Sequence, residues 1–165
     1  MRSVYIEASA LFRAYKEESG SDAMDYLFGS MESRIVTGLA SKLSIPGILR
    51  GITKRKNQGK ISEHEAQKVM DSILLDVDKR IANDELRSLP VEEEFMLHIN
   101  RCIRHHNFFV IDAIQFVTAY KSKPTVFVHA DRHFSAKIVK EMMEVIDIRE
   151  KEALNNLNVL VEGEA

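Results

Sequence analysis

The sequence predicts an α/β protein, a three-layer sandwich in which helices cover both faces of a central parallel sheet. Apolar runs such as Val126–Val128 are continuous rather than alternating, as in strands that are buried on both faces. Segments with helical periodicity separate these runs, which is the order expected of a parallel sheet with crossover helices. With 165 residues and 45% hydrophobic content, the chain is long enough to form one domain around its own core.

The individual elements are predicted from periodicity, caps and turn residues. A capping box of Ser62 and Glu65 marks the start of a long helix. Glu92, Glu93 and Glu94 favour another helix start, because they complement its dipole. We expect strands at residues 3–6, 34–37, 126–128 and 145–148, and a loop or short strand at 84–89. We expect further helices at residues 9–20, 21–31, 43–56, 110–120 and 135–143. The predicted domain spans residues 1–148, and residues 149–165 are expected to form a polar tail or a docking segment.

Composition excludes several classes of protein. The single cysteine, Cys102, excludes an intramolecular disulfide and fits a reducing compartment, so we expect a cytoplasmic protein. Neither a signal-peptide core nor an apolar run of membrane-spanning length is present, so no membrane partner is expected. The net charge of -2 gives no overall attraction to nucleic acid, and any such contact would depend on local patches.

Carboxylates stand where predicted strands and helices begin or end. The first strand runs into Glu7, the run 126–128 stops shortly before Asp131, and Asp112 begins a helix among apolar neighbours. Ligands of open α/β sheets gather outside the carboxyl ends of the strands, so these acids predict one acidic pocket. Such a pocket suggests a divalent metal. For Asp112 alone, the simpler interpretation is an acid satisfied by backbone donors at its helix N-terminus.

Three segments taken together resemble the PIN domain family: YIEASALFRAY, FVIDAIQFVTAY and VFVHADRHF. VIDI is similar to the last strand of that family, so the resemblance covers about residues 3–148. It implies a metal-dependent endoribonuclease with Mg²⁺ or Mn²⁺ as cofactor and RNA as substrate. It also implies the toxin half of a VapBC-type toxin–antitoxin pair, and hence an antitoxin-type protein partner and a homodimer.

The resemblance also implies roles for individual residues. Glu7, Asp112 and Asp131 would be the catalytic acids and the metal ligands. Ser9 would support Glu7 by hydrogen bonding, and His129 would support the pocket as a hydrogen-bond donor or a phosphate contact. A bound metal of this kind neutralises the scissile phosphate, activates water and stabilises the leaving oxygen.

The chain departs from the family pattern at three positions. Glu7 replaces the usual Asp, which moves the carboxylate by roughly 1.5 Å, about a bond length. In SIPGILRG, Gly47, or Pro46 in an alternative register, stands where the family has a second acid. His129 stands where Thr or Ser usually precedes the strand-end Asp. A second hypothesis is therefore a catalytically inactive PIN-like module that binds RNA or a protein, and a third is a structural interaction module such as a homodimeric scaffold.

A basic cluster follows the third predicted helix, and we expect it to contact RNA phosphates, with affinity that falls steeply as salt rises. The alternative is a solvated helix end, where cations suit the helix dipole. The cluster consists of Arg50, Lys54, Arg55, Lys56 and Lys60.

His129, Asp131 and His133 alternate along the chain. On an extended strand the three side chains would share one face and could hold a transition metal. If the strand has already ended, His133 points elsewhere and no such site forms.

Overall fold

The computed structural model describes residues 2–135 and 137–163, and this part of the chain contains five strands and eight α-helices. The strands are β1 (Arg2–Ile6), β2 (Val36–Ser41), β3 (Leu86–Leu89), β4 (Val126–His129) and β5 (Val145–Asp147). The helices are α1 (Ala8–Arg13), α2 (Ser21–Glu32), α3 (Ser44–Asn57), α4 (Glu63–Ala82), α5 (Met96–His106), α6 (Val110–Ser122), α7 (Lys137–Met142) and α8 (Ala153–Glu162). Short 3-10 turns lie at Glu93–Phe95 and Arg132–Ser135.

The five strands form one parallel sheet in the order β3-β2-β1-β4-β5. The first strand is central, with Tyr5 opposite Leu39 on one side and Phe127 on the other. Sheets of this kind need a crossover between neighbouring strands, and the helices supply it. The predicted fold class, an α/β sandwich with a central parallel sheet, is confirmed.

Two apolar layers cover the sheet, because successive residues of each strand point to opposite faces. Val4 and Ile6 lie in one buried cluster, together with residues of α1, α2, α3, α4 and α8. Tyr5 and Phe127 lie in the other, together with residues of α5 and α6. The result is a three-layer sandwich of the PIN-like type.

The capping box at the start of α4 is confirmed. The Ser62 hydroxyl accepts a hydrogen bond from the Glu65 backbone N–H at 3.1 Å, and Glu65 Oε2 accepts one from the Ser62 N–H at 2.8 Å. Two of the donors that a helix N-terminus leaves unpaired are satisfied in this way. The helix accordingly begins at Glu63.

The second strand lies further along the chain than expected, at Val36–Ser41 rather than 34–37. Its third residue is Gly38, where the neighbouring side chains leave little room for a side chain. A Cβ atom on Gly38 would lie 2.9 Å from both Leu86 Cδ1 and Met31 Sδ. The strand is therefore fixed by what packs over it, which its own sequence does not show.

The first helix ends at Arg13, not near residue 20. The segment from residue 149 onward was expected to be a polar tail or a docking segment. In the structure it contains α8. This helix contacts α2 and buries Ala153, Leu157 and Val161, which are spaced one helical turn apart. Within the described residues, no helix is both long and apolar enough to cross a membrane.

Candidate functional site

Two neighbouring strands bring Glu7 and Asp131 to the same edge of the sheet. Glu7 follows β1 directly, and Asp131 lies two residues beyond β4. The two strands are paired, with Ile6 opposite Val128. The Glu7 N–H extends this pairing by donating a hydrogen bond to the Val128 carbonyl at 2.9 Å. Because both strands are parallel, the acids that follow them lie at the carboxyl edge, where ligands of such sheets bind.

Asp112 joins this edge from the first turn of α6. Burial raises the pKa of Asp112, and the negative charge of Asp131 adds to the rise. The charges of Asp131 and Asp112 likewise add to the effect of burial on Glu7. Charges act on one another in this way only at short range, so the three acids form one group. We call Glu7, Asp112 and Asp131 the acid edge.

Glu7 is the buried member of the acid edge. Its side chain is 5% exposed and caps α1, accepting a hydrogen bond from the Ser9 N–H at 2.7 Å and another from the Ser9 hydroxyl. Burial raises the pKa of Glu7 to about 7, although the two hydrogen bonds from Ser9 oppose the rise. Near neutral pH this carboxyl therefore exchanges its proton readily.

Ser9 connects the acids to the end of the fourth strand. Its hydroxyl oxygen accepts a hydrogen bond from the Ala130 backbone N–H at 2.9 Å. Ala130 immediately precedes Asp131, so one hydroxyl fixes the start of α1 relative to the loop that carries a second acid. The contact supports the role that the sequence suggested for Ser9.

His133 joins the two outer acids. Its Nδ1 lies 2.9 Å from Asp131 Oδ1 and 3.9 Å from Asp112 Oδ2. The same Asp131 oxygen accepts a hydrogen bond from the His133 backbone N–H at 3.0 Å, which fixes the turn. Both acids remain partly open to solvent, and more than half of the His133 side chain is exposed.

The expectation that His129 contributes directly to the pocket is corrected. Its side chain is 0% exposed and lies against Phe127 and Phe134, with ring centroids 5.9 Å and 5.7 Å away. Neither ring nitrogen has a hydrogen-bond partner among the described residues, and burial lowers the pKa of His129 to about 4. The strand ends at His129, so it does not share a face with His133 and the alternating His-x-Asp-x-His pattern forms no metal site.

The position of the family's second acid lies beside the acid edge but carries no side chain. Gly47 is in the first turns of α3, and a Cβ atom built on it would lie 3.7 Å from the Ala8 Cβ. Ala8 directly follows Glu7. A side chain at position 47 would therefore extend along the start of α1, and the present residue leaves this place without a carboxylate.

A buried polar network connects the central strand to α3 and α6, and no sequence pattern indicated it. The Tyr5 hydroxyl donates a hydrogen bond to Gln115 Oε1 at 2.8 Å, and the Gln115 amide donates one to the Ser44 hydroxyl at 3.2 Å. All three side chains are fully buried. Burial and then the charge of Glu7 raise the pKa of Tyr5, so its hydroxyl stays protonated. The network fixes α3 and α6 against the central strand.

Four members of the basic cluster lie on α3, and the fifth, Lys60, lies beyond its end. Lys56 Nζ lies 2.9 Å from Glu63 Oε2, and Arg55 Nη1 lies 3.7 Å from Glu18 Oε1. No ion pair involves Arg50 or Lys54 among the described side chains. Lys54 is seven residues beyond Gly47, roughly 10 Å along the helix, so the cluster begins within reach of a nucleotide chain bound at the acid edge.

The larger clefts of the described surface lie elsewhere. One of about 440 Å³ is lined by residues that include Lys123, Pro124 and Glu144. These residues precede the fourth and fifth strands, so that cleft opens at the amino end of the sheet. Asp131 and His133 are partly exposed, so a ligand in solution has access to this side of the acid edge.

No group of three His, Cys, Asp or Glu side chains within the described residues is close enough to hold a metal ion as it stands. The donor set still has the chemistry of a Mg²⁺ or Mn²⁺ site, since all its members are carboxylates. No Lys or Arg among the described side chains forms a salt bridge with the acid edge. Mg²⁺ is usually bound through one or two carboxylates, water and substrate phosphate, and Asp112 and Asp131 supply such a pair.

Comparisons by sequence find no relative: no protein-family model matches the chain, and neither does any curated protein. A comparison with solved structures does find the fold. A chain in the crystal structure of VapBC2 from Rickettsia felis bound to a DNA fragment from their promoter has a TM-score of 0.53 and 11% sequence identity. The match covers 87% of this chain and 96% of that chain. At this identity the likeness shows the fold alone, a PIN-like fold also found in a toxin–antitoxin complex.

Proposed function

We propose that this protein is a PIN-like, divalent-metal-dependent endoribonuclease. The observation that carries the proposal is the pairing of Asp112 and Asp131 at the carboxyl edge of the sheet, where His133 lies against both. No Lys or Arg among the described side chains pairs with these two carboxylates, and a divalent cation would neutralise their negative charge. The exposed side of the acid edge would admit a chain of nucleotides.

In this proposal Asp112 and Asp131 hold Mg²⁺ or Mn²⁺, and Glu7 is the third acid. The ion would supply charge neutralisation at phosphate and a more acidic bound water. Glu7 is oriented by Ser9, and because its pKa is about 7, a cation bound nearby would shift it to the ionised form near neutral pH. Ser9 keeps this carboxyl in register with the loop that carries Asp131.

The substrate in this proposal is RNA, and the basic cluster provides phosphate contacts at some distance from the acids. Arg50 and Lys54 are the better candidates for this role, because Arg55 and Lys56 already lie against carboxylates. The fold is shared with a toxin–antitoxin complex, which favours a toxin whose activity an antitoxin-type protein controls. We further propose a cytoplasmic homodimer.

A second candidate function is a PIN-like module that binds RNA or a protein without cleaving it. Gly47 supports this alternative, because the place beside Ala8 carries no carboxylate. Glu7 supports it as well, since its pKa of about 7 makes it a weaker cation ligand than an ordinary carboxylate near neutral pH.

Calorimetric titration of Mn²⁺ into the protein, at a pH well above 7, tests the first proposal. We expect the wild type to bind the ion and Asp131→Asn to lose affinity by about tenfold or more, because one of two carboxylate ligands becomes neutral. Asp78→Asn is the matched control, since Asp78 is an exposed acid on α4. If the wild type does not bind Mn²⁺ at millimolar concentration, the proposed metal site is wrong.

Cleavage assays separate the two candidate functions. A single-stranded RNA should be cut in Mn²⁺ by the wild type and not by Asp112→Asn, while cleavage that survives this substitution would point to a contaminating nuclease. RNA that is retained in EDTA and never cut would favour the binding module. Failure to bind RNA at low salt would exclude RNA as the ligand in both candidate functions. The remaining candidate would be a module that binds a protein partner.

A further inference from the structure

Two consecutive phenylalanines lead into α6 and have opposite environments. Phe108 is buried, and its ring lies edge-to-face against Phe116 and Phe134, with centroids 5.5 Å and 6.2 Å away. Phe109 is 67% exposed, although burial of an aromatic ring is favourable. Phe108 thus anchors the segment in the core, while the same turn holds Phe109 in solvent.

Phe109 also lies next to the acid edge. Its ring lies 5.4 Å from that of His133, at an interplanar angle of 85°. His133 in turn contacts Asp131 through Nδ1 and approaches Asp112. Phe109 is the N-cap residue of the helix that carries Asp112 in its first turn. The exposed ring therefore flanks the two acids that would hold the cation.

We propose that Phe109 is a stacking platform for an unpaired nucleobase of the RNA whose phosphate lies at Asp112 and Asp131. The inference rests on the proposed function and adds a subsite to it. A base that stacks on this ring covers apolar surface that is otherwise in water, and stacking tolerates any base because each has a π-face. Bases in a duplex are already stacked, so the subsite selects single-stranded RNA.

The apolar residues that follow Phe109 do not favour a helical protein partner at this place. Val110 and Ile111 are also exposed. Adjacent residues of a helix point in different directions, so these two and Phe109 do not form the i, i+3, i+4 stripe that a helix-binding groove or a dimer seam requires. One ring beside two carboxylates fits a planar ligand attached to a phosphate.

The test is a double-mutant cycle between the ring and the base. Fluorescence anisotropy measures the affinity for a labelled oligouridine and for an oligonucleotide of the same length whose bases are absent. Ca²⁺, which takes oxygen ligands as Mg²⁺ does, replaces the proposed cofactor, and electrophoresis checks that the RNA stays intact. Phe109→Leu removes the π-system and keeps an apolar side chain, whereas Phe109→Trp enlarges it.

We expect Phe109→Leu to weaken oligouridine binding by about 5- to 150-fold and to leave the abasic oligonucleotide unaffected, with Phe109→Trp close to wild type. Tyr120→Leu, at the other end of α6, is the matched control and should bind both as the wild type does. An equal loss of affinity for both oligonucleotides in Phe109→Leu overturns the proposal. A molecular mass of Phe109→Leu that differs from that of the wild type in light scattering also overturns it, because Phe109 would then lie in a contact between two copies of the chain. If the wild type binds oligouridine but the ring and the base show no coupling, the stacking proposal is wrong and the proposed RNA substrate is unaffected. If the wild type binds no RNA, both the stacking proposal and the proposed substrate are wrong.

Discussion

The hydroxyl oxygen of Ser9 accepts a hydrogen bond from the backbone N–H of Ala130 at 2.9 Å. The same hydroxyl donates to the Glu7 carboxylate, so one small side chain links the beginning of α1 to the end of the fourth strand. Ala130 is buried, and no water would take the place of this acceptor without rearrangement. The geometry of the acid edge therefore depends on Ser9, which is not one of the three acids.

Ser9→Ala should destabilise the protein by about 1 to 3 kcal/mol, because it leaves the buried Ala130 N–H without an acceptor. It should also raise the pKa of Glu7 further, since the hydroxyl no longer stabilises the charged form. Urea denaturation measures the first effect and the pH dependence of Mn²⁺ binding the second. Ser30→Ala is the control, as Ser30 is buried but donates only to the Tyr26 carbonyl of its own helix, and a loss of similar size there would contradict the interpretation.

The raised pKa of Glu7 predicts a contribution to the stability of the metal-free protein that is lost as pH rises. The group titrates near 4.5 when unfolded and at about 7 when folded, so between these values the folded state binds more protons. The stabilisation is fully present below the lower value and is lost as pH passes through about 7, on the order of 3 kcal/mol.

Glu7→Gln tests this directly, because the amide oxygen still accepts the Ser9 hydrogen bonds but does not titrate. His129 contributes equally to both proteins, and its lowered pKa makes stability rise with pH below about 6.5. We therefore expect the stability of the variant relative to the wild type, measured by urea denaturation, to rise between about pH 5 and pH 8. The variant should be the more stable protein at the upper end in EDTA. Identical profiles for the two proteins would mean that Glu7 is not the titrating group.

Gly47→Glu should increase affinity for divalent cations. The side chain has room, as its Cβ would meet only the Ala8 Cβ at ordinary contact distance, and replacing a helical glycine adds roughly 0.5 to 1 kcal/mol of stability. A carboxylate there would strengthen Mn²⁺ binding by about tenfold or more.

Gly51→Glu is the matched control for this substitution. Gly51 lies one turn further along the same helix, and a Cβ there would meet nothing within 4 Å. Calorimetry should show improved binding for position 47 only. An equal gain in Mn²⁺ affinity at both positions would mean that the added negative charge, not its position, improves binding.

Within the basic cluster, Lys54→Ala should weaken RNA binding more than Lys56→Ala. The Lys56 ammonium lies 2.9 Å from a Glu63 oxygen, so its charge is already partly compensated. A lost phosphate contact lowers the salt dependence of binding by about 0.7 in log–log slope for single strands. Anisotropy titrations over a range of KCl concentrations measure the slope, and equal slopes for both variants would place RNA elsewhere.

Sequence patterns predicted the features that are local. The capping box of Ser62 and Glu65 determines the start of its helix through contacts within one turn. The apolar run before His129 gave the fourth strand because a buried parallel strand needs continuous apolar residues. The spacing of Leu157 and Val161 carried a helical signal as well, but the asparagines at positions 155, 156 and 158 obscured it.

The features that the sequence did not reveal depend on contacts between distant segments. The glycine of the second strand, Gly38, is explained by Met31 and Leu86, which pack against it. The burial of His129 follows from Phe134 folding back over it, and a histidine beside an acid looked like part of the site. Phe108 is buried in the core and Phe109 is exposed. Two adjacent phenylalanines in a sequence do not show which of them is buried.

The separation between Ser9 and Ala130, 121 residues, has a consequence for synthesis of the protein. The first strand pairs with the second and the fourth, so it lacks its second partner until the fourth strand has left the ribosome. At about 5 to 20 residues per second, several seconds pass between translation of the two halves of the acid edge. Any activity that needs all three acids is therefore absent from the nascent chain until Asp131 has left the ribosome.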